Sequence, residues 1–170
     1  MRQGLGMTIA EFDHLNKEIK RKLLYQCCAS TAWVEKMLTV PPAEDLIDLF
    51  EDAEEKWYEC KEEDWKEAFS NDAKSGDLDS LDRPFYSTFR NDQQSSTKAT
   101  PEVLQSLANA KNAYEKKFGY VFIIDTGKSP DEILGMLRTR LSNKPEEEIK
   151  IAMDEQNKIT RIRLGKLFES

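Results

Sequence analysis

Histidine is nearly missing from this chain: 170 residues hold one, His14. Imidazole is the side chain that exchanges protons near neutral pH, so Ser-His-Asp and Cys-His catalysis have little to draw on. His14 stands between Asp13 and Asn16 on an amphipathic N-terminal stretch and reads as a surface or helix-packing residue. Cysteine is scarce too. Cys27, Cys28 and Cys60 are odd in number and two are adjacent, which makes a poor disulfide framework. With one histidine beside them they make a poor zinc set as well; reduced, partly buried thiols are expected. Positive charge is in deficit, with 25 Lys and Arg against 32 Asp and Glu, a net charge of −7 and a pI of about 4.9. That argues against a nucleic-acid partner, which needs a basic face, yet leaves an anionic substrate open, because a pocket can oppose the global charge. No apolar run approaches the roughly 18 residues of a membrane span. Met1 to Met7 carries no secretory apolar stretch. Phe168-Glu169-Ser170 is no peroxisomal tail, and a cytoplasmic setting is expected. Glycine-rich phosphate loops are missing: Lys74-Ser75-Gly76-Asp77 offers one glycine.

What is present suits one helical domain over 1–170. Thr8-Ile9-Ala10-Glu11 spells a capping box. Ile19, Leu23 and Leu24 recur at helical spacing, and Trp33, Met37 and Leu38 suggest another apolar face. After Pro41-Pro42, Ala43 to Cys60 reads as an amphipathic helix with Leu46, Leu49, Phe50, Ala53 and Trp57 on one side. Glu62 to Phe69 reads as a shorter helix and Ser70 to Asp79 as a loop. Leu81 to Phe89 fits a helix with Pro84 in its first turn. Thr100-Pro101 opens a helix to Phe118, closed by Gly119. Tyr120 to Ile124 is β-branched and aromatic, but no second strand offers itself, so a buried extended segment is expected. Ser129-Pro130-Asp131-Glu132 opens a helix to Leu141. Pro145 begins the last, with Ile149, Ala152, Met153, Ile159 and Ile162 on its apolar side. The acidic runs Glu54-Glu55, Glu62-Glu63-Asp64 and Glu146-Glu147-Glu148 read as solvated faces.

Five stretches form a recognisable frame: Cys28-Ala29-Ser30-Thr31-Ala32-Trp33, Asp64 to Phe69, Tyr114 to Ile124, Arg140-Leu141-Ser142-Asn143, and Ile159 to Leu164. Together they resemble the 2-oxo-4-hydroxy-4-carboxy-5-ureidoimidazoline (OHCU) decarboxylases of urate breakdown. The resemblance implies an all-α domain of seven or eight helices, a homodimer, and a cofactor-free decarboxylation yielding (S)-allantoin. It assigns proton transfer to the histidine of a His-Pro-x-Ile-Gly motif, orientation to the glutamate of a Glu-Gln pair, and a polar end of the substrate to a late arginine. Here Asp72 stands at the histidine position, Ala73 at the proline, Ser75 at the isoleucine, and Gly76 agrees. Gln93-Gln94 falls on the Glu-Gln pair, counted back from Ala99-Thr100; a register slip of one would offer Asp92 instead. Arg163 matches the late arginine, and Phe118-Gly119 to Ile124, with Ile123, matches the pocket wall.

These departures remove chemistry. An aspartate at neutral pH is ordinarily ionised and only accepts, and Gln93 has no charge to stabilise a cationic partner. The changes gather between Asp72 and Gln93, a stretch that also holds Phe85, Tyr86, Phe89 and Arg90. Those four read either as core and ordinary surface or as a recognition patch of the residue types favoured at interfaces. The expectation is a family scaffold whose decarboxylation is lost and whose 72–93 segment is redeployed, by natural divergence or deliberate redesign, to bind a small molecule or an engineered protein partner. The alternatives are a divergent working decarboxylase using Asp72 or Asp92 with Arg163, and a new enzyme in which a desolvated Asp72 is the general base.

Overall fold

Local start signals set the helix boundaries. In the computed structural model, which describes residues 6–74, 100–124 and 129–169 and only the backbone of 72–74, the described residues form eight helices and no strand. They are α1 (Ile9–Asp13), α2 (Lys17–Cys27), α3 (Thr31–Met37), α4 (Leu46–Glu59), α5 (Glu62–Lys74), α6 (Pro101–Phe118), α7 (Pro130–Leu141) and α8 (Pro145–Phe168). The expected capping box forms, with Glu11 N–H donating to Thr8 Oγ1 at 3.0 Å and Thr8 N–H to Glu11 Oε1 at 2.8 Å, and Ser129 and Glu132 make a second one. Thr100 caps α6 ahead of Pro101, and Gly119 ends it at φ 85°, a left-handed conformation that suits glycine. Among the described residues, no helix is long and apolar enough to cross a membrane.

Three boundaries or faces differ from the sequence reading. The helix expected from Ala43 begins at Leu46, because Asp45 accepts from Asp48 N–H at 2.8 Å and so takes the cap position. The loop expected from Ser70 is helix as far as Lys74, held by a side-chain anchor described below. Ile19 and Ile162 keep the helical spacing but are 50% and 37% exposed; periodicity locates an apolar stripe, not its edges. The expected helix over Leu81 to Phe89, with Phe85, Tyr86, Phe89 and Arg90, lies outside the described residues.

Met1–Lys74 with Asn157–Ser170 makes one compact unit, and Ser75–Gln156 the other. In the first, α3 packs with α2, α4 and α5 around Trp33 and Trp57, which are 0% and 2% exposed. Burying an indole obliges its N–H to find an acceptor: Trp33 Nε1 donates to the Ala53 carbonyl at 3.0 Å, and Trp65 Nε1 to the Trp57 carbonyl at 2.9 Å. Phe69 meets the Trp57 ring edge-on at 6.4 Å. In the second unit α6 packs along α7, with Leu107, Tyr114, Phe118, Ile133 and Leu137 buried. Among the described residues the Tyr120 to Ile124 segment forms no strand, and Tyr120, Phe122, Ile123 and Ile124 are buried, as expected for a buried non-strand segment.

Candidate functional site

The end of α5 carries position 72, and the structure shows what holds it. Asn71 Nδ2 donates to Tyr25 Oη at 2.9 Å and to the Ala29 carbonyl at 3.1 Å. One turn earlier, the Glu67 carboxylate accepts from Thr31 N–H at 3.1 Å and Thr31 Oγ1 at 2.7 Å. These tertiary bonds outweigh the weak helix preference of the Ser-Asn-Asp stretch, which is why the helix outruns its propensity. Partial burial raises the Tyr25 phenol above its ordinary range, and the Asn71 bond opposes that rise. Asp72 follows in the last turn of α5, with its side chain outside the described residues. Gly76, Gln93, Gln94 and Asp92 also lie outside them.

Arg163, on the second half of α8, is 2% exposed, and its Nη1 donates to the Cys27 carbonyl at 3.4 Å. Cys27 is the last residue of α2, so a cation stands where the helix presents its negative end and unpaired carbonyls. Asn71 and Arg163 therefore both grip the Cys27 to Ala29 backbone, from α5 and from α8. That stretch leads into the first frame segment, and it ties the helix bearing position 72 to the late arginine. His14 is elsewhere in use: it is exposed at the C-terminus of α1, with its ring Nδ1 2.7 Å from the Ala10 carbonyl.

All three cysteines are buried and unbridged. Burial pushes the Cys27 thiol from 9.0 up to about 12, against the pull of Arg163. Cys60 is pushed up to about 11 by burial, with Asp64 adding to it. Because the thiolate is the nucleophile, Cys27 and Cys60 are expected to react with iodoacetamide at pH 8 at least about a hundredfold more slowly in the folded chain than in urea. Rapid labelling of the native protein at Cys27 would contradict this burial. Both folded-state values are raised, so their contribution to stability is complete below about pH 9 and is lost as pH climbs toward 11 and 12. The thermal midpoint should fall across that alkaline window.

The second unit contains a buried polar cluster that the sequence reading missed. Glu148 is 0% exposed, although its acidic run reads as a solvated face. The correction is one of phase: Glu148 shares its face of α8 with Ala152, Glu155 and Ile159, all buried, at helical spacing. Glu146 and Glu147 point outward. Arg140 Nε and Nη2 donate to Glu148 Oε2 at 2.7 and 2.6 Å. Tyr114 Oη donates to the same oxygen, and Asn143 Nδ2 to Oε1 at 3.0 Å. Arg140 Nη1 donates to the Ile123 carbonyl at 2.9 Å, and the guanidinium lies 4.4 Å from the Phe122 ring centroid. Burial is the main cause raising the Tyr114 phenol, which stays protonated and remains a donor. Also on α7, Glu132, Gly135, Met136, Thr139 and Arg140 line an open cleft of about 520 Å³. Ile123, the expected pocket-wall residue, is thus buried with its carbonyl bound by Arg140.

Comparison with known proteins follows the same frame. A family model described as OHCU decarboxylase matches residues 13–165. The uric acid degradation bifunctional protein TTL of Arabidopsis thaliana is 34% identical over 147 residues, which are 84% of this chain and 45% of that protein. The chain therefore spans about half the length of that relative. A crystal structure of OHCU decarboxylase in the presence of (S)-allantoin matches at a TM-score of 0.67 and 29% identity, covering 91% of this chain and 99% of that one. A crystal structure of (S)-allantoin synthase matches at a TM-score of 0.65, covering 93% of this chain and 53% of that one. At 15% identity the latter is a likeness of fold alone.

Proposed function

Because the chain belongs to the OHCU decarboxylase family, we propose that it is a family scaffold in which decarboxylation to (S)-allantoin has been lost and the 72–93 segment serves binding. One observation carries this reading. By the resemblance, the position where the family places its proton-transferring histidine falls on Asp72, and the chain's single histidine, His14, is exposed and bonded to its own helix. An ionised aspartate can accept a proton but has none to give at neutral pH. It would also oppose the approach of a carboxylated substrate.

The resemblance to the family carries the rest of the reading: Arg163 is proposed to meet a polar end of the ligand, and the Gly119 to Ile124 segment is proposed as pocket-wall sequence. Asp72 and Gln93 mark the dismantled proton-transfer groups, and Phe85, Tyr86, Phe89 and Arg90 are the proposed anchors of the new binding role. Freshly generated OHCU is expected to disappear with this protein at least about a hundredfold more slowly than with a competent relative, the low end of what general acid–base catalysis contributes. Near-normal turnover would overturn the reading in favour of a working decarboxylase with a different proton-transfer group.

A further inference from the structure

The segment after α6 is buried and, among the described residues, belongs to no sheet, so side chains have a part in fixing its position. One polar anchor on its backbone is Arg140 Nη1, which donates to the Ile123 carbonyl at 2.9 Å. The same guanidinium is held against Glu148 at 2.6 and 2.7 Å and lies over the Phe122 ring at 4.4 Å. Glu148 is in turn fixed by Tyr114 and by Asn143. α6, α7, α8 and the loop before α8 all contribute to one rigid fork.

A buried ion pair of this kind is weak evidence for stability, since apolar residues of similar volume often serve as well. What an apolar replacement cannot supply is a planar donor that binds a carboxylate and a backbone carbonyl at once. We infer that Arg140 is a positioning residue for ligand binding: held by Glu148, it fixes the Ile123 carbonyl and with it the wall formed by Phe122 to Ile124. This rests on the reading that the segment walls a ligand pocket, and it adds a residue that touches the wall from behind rather than the ligand.

Two variants separate positioning from bulk stability. Arg140→Lys keeps a cation beside Glu148 but is a point donor that cannot bridge to Ile123 as well. Tyr114→Phe removes a hydroxyl that accepts from Arg140 Nη2 at 3.4 Å and leaves the Arg140 bonds to Glu148 and to the Ile123 carbonyl. Amide hydrogen exchange at Phe122 to Ile124, normalised to the amides of α6, is expected to quicken at least about tenfold in Arg140→Lys and hardly at all in Tyr114→Phe. Equal quickening in both would overturn the assignment. The functional arm places each variant in an Asp72→His, Gln93→Glu background and follows OHCU turnover. A displaced wall raises KM about tenfold with kcat held, whereas partial unfolding lowers kcat with KM held; the second pattern would overturn the role in binding. If that background shows no turnover, the pocket reading has failed, and the exchange result still decides whether Arg140 sets the segment. Should Arg140→Lys not fold, Glu148→Gln takes its place in both arms. It loosens the tether while keeping the arginine, and it is expected to quicken exchange at Phe122 to Ile124 in the same direction; no quickening would overturn the assignment.

Discussion

Replacing Asp72 with His and Gln93 with Glu together is expected to raise OHCU turnover at least about a hundredfold over the parent chain, the lower bound for a restored general acid–base group. The two changes belong together. An imidazole at position 72 can both accept and give a proton near neutral pH. A carboxylate from position 93 would stabilise its cationic form, as the family's glutamate is taken to do. Asp72→His alone should recover less, because a neutral amide offers the imidazolium no charge. The scaffold around position 72 is intact: Asn71 and Glu67 hold the end of α5, and Arg163 is buried against Cys27. The check is the rate of loss of freshly generated substrate, with the folded fraction measured on the same samples. A folded double variant as inert as its parent would mean that the pocket reading, with proton transfer at position 72, has failed.

Glu148→Ala is expected to be the most destabilising of the single changes considered, by about 3–5 kcal/mol, the range for breaking a buried pair by removing one partner. The cost comes from what is left behind. Arg140, Tyr114 and Asn143 all donate to Glu148; without it the buried Arg140 charge loses its carboxylate partner and the buried Tyr114 hydroxyl its acceptor. Glu148→Gln should cost less, because an amide oxygen still accepts. Replacing Arg140 and Glu148 together by apolar residues should recover much of the loss, short of the roughly 1–3 kcal/mol for an orphaned Ile123 carbonyl. Urea unfolding at constant slope would measure all three. A single-variant loss below about 1 kcal/mol would show that the cluster is better hydrated than its burial implies.

Helix starts were legible because each is written in adjacent residues: Thr8 with Glu11, Thr100 before Pro101, and Ser129 with Pro130 and Glu132. So was the identity of the frame, and with it the fold. Features that depend on partners distant in the chain were not legible. The continuation of α5 past Phe69 hangs on Tyr25 and Ala29, more than forty positions earlier. The buried Glu148 was hidden in an acidic run, and only the helical phase shared with Ala152 and Ile159 could have separated it from its neighbours. Arg140 was visible as part of the frame but not as an anchor, since its acceptors come from the Tyr120 to Ile124 segment and from α8. Of the candidate site, Arg163, Ile123 and the backbone of Asp72 fall within the described residues, while Gly76, Gln93, Gln94 and the Phe85 to Arg90 patch do not.

The placement of the indoles gives the chain a built-in optical label. Trp33, Trp57 and Trp65 are its three tryptophans, and all belong to the unit formed by Met1–Lys74 with Asn157–Ser170. Two are sealed in its core, and Trp33 and Trp65 each donate to a backbone carbonyl. Emission excited at the indole band therefore reports on that unit alone, while the Arg140–Glu148 cluster sits in a unit that is dark at that wavelength. A denaturation curve followed by fluorescence and one followed by helix content will superimpose only if the two units melt together. The unaltered chain can thus reveal whether the helix carrying position 72 and the segment carrying Ile123 share one cooperative fate.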